Sequence, residues 1–199
     1  MESVDRVYRS YSKYIESYDE DTLFILLNSL HSLNDRLKTD HSLDLFDIEE
    51  FVVLKAVRNY IHHQDEMRNK LTSFPAKKIK PIQTDLMLMC LIMKSDLDEA
   101  IEGIHKRHRM AHKDIIESTV HYYGSIVNLG PVIFNMAAKL MVFLDEHNIK
   151  GSSEDFIRNY ECMRFDIDNG HSITVSGRIY SHVNSVGKVE GALLEAIAS

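Results

Sequence analysis

Residues 47–66, DIEEFVVLKAVRNYIHHQDE, read as one helix. Asp47 has the form of an N-cap with Glu50 three positions on. Phe51, Val52, Leu54, Val57, Tyr60 and Ile61 then recur at the spacing of three and four that lays one stripe of a helix against a core. The pattern predicts helix to about Leu71. Upstream, Val4, Val7, Tyr8, Tyr11, Tyr14, Ile15 and Tyr18 give a first stripe, and Leu23, Leu26, Leu27, Leu30, Leu33 and Leu37 a second, with Asp21 or Thr22 as its expected cap. The prolines of FPAKKIKP, residues 74–81, each remove a backbone donor, so this stretch is expected to be a connection between two helical halves.

Downstream, the spacing predicts helices over Leu86–Ile104, over a segment containing Ile115, Ile116, Val120 and Tyr123, over Val132–Leu144 after the Gly130-Pro131 stop, and from about Ser153 to Tyr160. Met163, Phe165 and Ile167 alternate, DNG follows, and Ile173 and Val175 alternate again, which predicts a small β-hairpin near 163–175. From Ile179 through Val183, Val186, Leu193 and Ile197 the spacing is helical again. The expected class is therefore mainly α: one helical domain over 1–199, with a bundle body of roughly 1–150 and a C-terminal extension over 151–199.

Composition narrows the function classes. In 199 residues there are only 8 Gly and 3 Pro, which excludes a disordered or collagen-like chain. The longest apolar run, Leu86–Met93, is far shorter than the roughly 20 residues needed to cross a bilayer, and MESVDR is not a secretory leader. No membrane association and a cytoplasmic location are the expectation. Cys90 and Cys162 lack disulfide or zinc spacing. The net charge of −7 is unevenly spread: residues 75–113 carry eight Lys/Arg against five Asp/Glu, a net +3, between flanks of −5 each.

Two constellations could carry chemistry. The first is Arg58, Asn59 and His63, with His62 beside them: Asn59 and His63 share a helix face, and Arg58 stands four before His62. Cleaving RNA without a metal needs a base for the 2′-hydroxyl proton, an acid for the leaving oxygen and a fixed cation for the phosphorane, and these residue types supply such groups. The same residues also suit a solvated polar face. The second is the run His105–Lys113, in which His105, His108 and His112 interleave with Lys106, Arg107, Arg109 and Lys113 and no acid intervenes. Such a helix suits a phosphate backbone, or simply a solvated helix end. Glu102 with the three histidines would suit a metal in a di-iron bundle, but the E-x-x-H spacing occurs there once rather than twice and the flanking cations repel a divalent ion, so no cofactor or metal is expected. The tyrosines at 8, 11, 14 and 18 suit either stacking on bases or a packed core.

The string Arg58-Asn59-x-x-x-His63, in an all-helical setting over roughly 1–150, resembles the signature of the HEPN superfamily. The resemblance implies a small helical bundle that dimerises and brings two copies of the motif face to face, acting as a metal-independent ribonuclease that leaves 2′,3′-cyclic phosphate ends. It also implies a toxin or defence role and a regulatory protein partner. Arg107, His108 and His112 satisfy a looser form of the same pattern and are the substitute site. The alternative from another class is a non-catalytic helical module that binds nucleotides or other proteins.

Overall fold

The computed structural model describes residues 1–63, 71–79, 83–180 and 186–198, with only the backbone of His63, Val186, Gly187 and Ala198. It is mainly helical, with one small antiparallel sheet. In chain order come α1 (Glu2–Ser17), α2 (Glu20–His41), α3 (Glu49–His63), β1 (Thr72–Pro75), β2 (Leu88–Met93), α4 (Lys94–Glu102), α5 (Lys106–Thr119), β3 (His121–Tyr123), β4 (Ile126–Asn128), α6 (Gly130–Glu146), α7 (Glu154–Asp168) and α8 (Val186–Ala198).

The first three helices follow their stripes. Tyr8 and Tyr14 are almost fully buried and meet Leu23, Leu26, Leu27, Leu30, Leu33 and Leu37 in the main core. Tyr18 ends α1 in the left-handed region at φ 43, and Asp19, not Asp21 or Thr22, caps α2 by accepting from Thr22 N at 2.8 Å. Glu50 reaches sideways to α6, where it takes Lys139 Nζ at 2.7 Å while itself only 4% exposed. The tyrosine row is core: Tyr8 donates to Ala137 O and Tyr14 bonds Ser73.

The sheet is the principal departure from the sequence reading. Its order is β1-β2-β4-β3, all antiparallel, so β2 lies inside it and occupies the start of the stretch expected as helix over Leu86–Ile104. Cys90 and Ile92 face the main core, whereas Met89 and Leu91 face a smaller one built with Val189 and Leu193 of α8. A strand covered on both faces is apolar throughout and loses the alternation that would mark it. Within FPAKKIKP, Phe74 and Pro75 close the edge strand β1, where a missing donor is tolerated, and a single 3₁₀ turn follows at Ala76–Lys78. Residues 80–82 of that connection lie outside the described residues.

Two further expectations change places. The helix expected to run through Val120 and Tyr123 stops at Thr119, and β3 turns back into β4 through Gly124 at φ 65 and Ser125. No hairpin forms at 163–175: α7 runs through Met163, Phe165 and Ile167 to Asp168. Gly170, at φ 71, then ends the helix, its N–H bonding Ile167 O while His171 N bonds Asp166 O. The helix expected to stop at Tyr160 is thereby two turns longer. The following segment is strapped to the body by Asn135, which exchanges two hydrogen bonds with Val175, and by Asp85, which accepts from Ser176 N and Gly177 N.

Candidate functional site

The outward face of α3 carries Lys55, Arg58, Asn59 and His62. Its other side is pinned to α4 by Tyr60, whose hydroxyl donates to Glu99 at 2.5 Å and to Asp96 at 3.3 Å; burial, with those carboxylates, raises the Tyr60 pKa far above the ordinary phenol value. Arg58 is half-buried, and its hydrogen-bond partners among the described residues are amides. Nε donates to Asn28 Oδ1 at 3.0 Å and Nη1 to Asn59 Oδ1 at 3.3 Å. Asn28 is oriented for this by its own Nδ2, which donates to Phe24 O one turn back on α2. Amide oxygens fix the guanidinium in place without neutralising it.

Other basic groups share this face. His31 stands one turn beyond Asn28 on α2, with Nε2 at 3.7 Å from Asp35 Oδ2. Burial lowers its pKa below the usual imidazole value; Asp35 works against that shift, and Arg58, Lys55 and His62 add to it. The Lys55 pKa is lowered too, first by burial and then by Lys38. Both lysines lie over the ring of Phe46, Nζ at 4.4 Å for Lys55 and 4.7 Å for Lys38.

Phe46 joins this group to α5. Its ring stacks on His112 at 5.7 Å and 22°, and His112 stacks in turn on His108 at 5.7 Å and 22°, with His105 at 6.4 Å from His108. Burial, then His108 and Lys55, lowers the His112 pKa. One surface therefore runs from His31 and Arg58 through Lys55 and Phe46 to the α5 histidines. Among the described residues no three His, Cys, Asp or Glu side chains converge as a metal site.

The α5 cations divide. Lys106 and Arg107 are exposed and make no ion pair among the described residues. Arg109 is committed to Glu102 at 2.8 Å and Ile104 O at 3.1 Å, and Lys113 lies 3.7 Å from Glu117. His105 caps the helix, its Nδ1 accepting from Arg107 N at 3.3 Å. Lys106, Arg107 and Arg109 thus stand in the first turn, at the positive end of the helix dipole, where cations are unfavourable and an anion is doubly attracted.

Of the sequence-predicted residues, the structure brings Arg58, Asn59 and His62 together with His112 and His108 on a continuous face. The side chain of His63, the last residue of α3, lies outside the described residues, as does the helix expected beyond it to Leu71. Asn28, His31, Lys38, Phe46 and Lys55 belong to the same surface without any motif or local spacing to announce them. In comparisons with family models, curated proteins and solved structures, no match to this chain was found.

Proposed function

We propose that the protein is a metal-independent RNA endonuclease whose site is centred on Arg58. The observation that carries this reading is a half-buried guanidinium held by two amide oxygens, with Lys55 and two imidazoles around it. A cation that is oriented and, among the described residues, has no ion-pair partner is what a pentacoordinate phosphorane requires, because preorganised charge costs no rearrangement as negative charge develops. Asn59 positions Arg58, His63 and His62 at the end of α3 supply a proton carrier, and Lys106, Arg107 and the α5 histidines line the approach of the RNA. The resemblance to the HEPN superfamily adds a second copy of the chain and a regulatory protein as partners, and a role in conflict between hosts and phage.

The test is cleavage of end-labelled single-stranded RNA in excess chelator. Wild type should leave 2′,3′-cyclic phosphate and 5′-hydroxyl ends, His63→Ala should abolish cutting, and Arg58→Lys should slow it by roughly 10²–10³, the usual cost of losing one oriented transition-state donor. RNA that is bound but never cut would replace this reading by the non-catalytic nucleotide-binding one. Unchanged cutting by Arg58→Lys would remove the site from α3.

A further inference from the structure

The motif helix alone is short of one group. A transesterification needs a neutral imidazole to take a proton and a charged one to give it, and both motif histidines stand at the same end of α3. In the resemblance the missing group comes from a second copy of the chain. Here α2 offers one instead.

We infer that His31 is the base of this site, so that one chain holds the complete acid–base pair and the second copy is not needed for the chemistry. The inference rests on the RNA-cleavage reading above. Asn28 on α2 bonds Arg58 directly, and His31, three residues later, shares that face about 4.5 Å further along the axis. Among the described residues neither ring nitrogen of His31 makes a hydrogen bond. Nδ1 is buried with no partner, and Nε2 is 3.7 Å from Asp35 Oδ2, beyond hydrogen-bond reach. A half-buried imidazole with no hydrogen bond among the described residues, paired only at long range with Asp35, departs from the rule that buried polar groups are satisfied.

The groups that face His31 are Asp35 on its own helix and Lys55, Arg58 and His62 on α3. Burial and the three basic neighbours outweigh Asp35 and keep the ring neutral near pH 7, the form a base needs. In the step assigned to it, Nε2 takes the 2′-hydroxyl proton while the 2′-oxygen forms its bond to phosphorus. The bond from phosphorus to the 5′-oxygen breaks with its electron pair on that oxygen, which takes a proton from the imidazolium of His62. Arg58 and Lys55 face the non-bridging oxygens, and Asp35 is placed to balance the charge that His31 gains.

The experiment measures kcat/KM for RNA cleavage against pH for wild type, His31→Gln and Asp35→Asn, and specific activity on dilution with mass followed by light scattering. Wild type should lose activity with acid through a midpoint below 6.5, the ordinary imidazole value. His31→Gln should fall by about 10²-fold or more and lose that acid limb while RNA affinity holds. Asp35→Asn leaves His31 in place and is exposed, so it guards against a folding defect. Removing a charge that raises the His31 pKa should move the acid limb to lower pH. Activity per chain should survive dilution to monomer. An acid limb unmoved in both variants, or activity that vanishes with the dimer, overturns the assignment of His31 while leaving the nuclease standing. A wild type that does not cut RNA overturns both.

Discussion

Removing the carboxylate of Asp5 should cost far more than its place in the first turn of an N-terminal helix suggests. Asp5 is 4% exposed, and its Oδ1 accepts from both Ser152 N and Ser153 N at 2.7 Å, with Ser152 Oγ at 3.3 Å from Oδ2. It therefore ties α1 to the chain turn that starts α7, where the helix dipole also favours an anion. Asp5→Asn keeps an acceptor for both amides and loses the charge. Charge-assisted bonds are worth roughly twice neutral ones, so the cost is about 2 kcal/mol. Asp5→Ala removes the charged acceptor of two part-buried amides at about 1–2 kcal/mol each, a cost of about 3 kcal/mol and a drop in Tm of about 8 °C. Urea unfolding at pH 7 measures both. Burial by itself would raise the Asp5 pKa, but the amides of Ser153 and Ser152 outweigh it and hold it below the ordinary 3.8. With the folded value depressed, the unfolded chain takes up the proton first as pH falls. The advantage of wild type over Asp5→Asn is thus complete well above 3.8 and is lost as pH falls through the folded value. An Asp5→Ala protein within about 0.5 kcal/mol of wild type, or an Asp5→Asn deficit that ignores pH, would refute the reasoning.

Two further outcomes follow from the geometry. Arg107→Ala should weaken RNA binding and flatten its log–log salt dependence by about 0.7, one phosphate's worth on a single strand, whereas Arg109→Ala, whose guanidinium is occupied by Glu102 and Ile104 O, should leave that slope unchanged; filter binding across a salt series separates them. Gly177→Ala should destabilise the protein by more than about 1 kcal/mol in thermal or urea unfolding, because φ is +64 and a Cβ there would stand 1.9 Å from Pro131 Cγ, pushing the strap off Asp85 and Asn135.

The helices that pack one stripe against one core were legible. α1, α2, α3 and α6 each bury apolar residues at the helical spacing that the sequence displays. The sheet was not, because β2 is sandwiched: Cys90 and Ile92 on one side and Met89 and Leu91 on the other leave no polar face to reveal a period of two. The alternation of Met163, Phe165 and Ile167 misled in the opposite sense. Only Met163 is buried, while Phe165 and Ile167 are exposed on α7, so their period records no strand. Of the site, Arg58, Asn59 and His62 could be found by motif. Asn28 lies thirty residues before Arg58, and nothing local in the sequence ties Asn28 and His31 to that guanidinium.

Charge counted along the chain was an equally poor guide to the site, and the reason bears on function. The basic island at 75–113 contributes Lys106, Arg107 and the α5 histidines, but His31, Lys38, Lys55 and Arg58 come from a segment whose net charge is −5. Helices sort charge by face rather than by segment. The acids of α2 and α3 lie mostly elsewhere: Glu49 and Glu50 open α3 at the end away from Arg58, and Asp40 pairs with Arg36. If the protein acts on RNA as proposed, an overall charge of −7 serves selectivity. On the RNA-cleavage reading, the strip from His31 to His105 gathers the cations that would meet the phosphates, while the acidic excess of the chain as a whole gives a polyanion no general attraction. Lowering pH through the imidazole range charges His112 and His31, both of whose pKa values are lowered by burial first. On the proposed reading, added charge tightens RNA binding while the loss of neutral His31 removes the base, so affinity and turnover should move in opposite directions with acid.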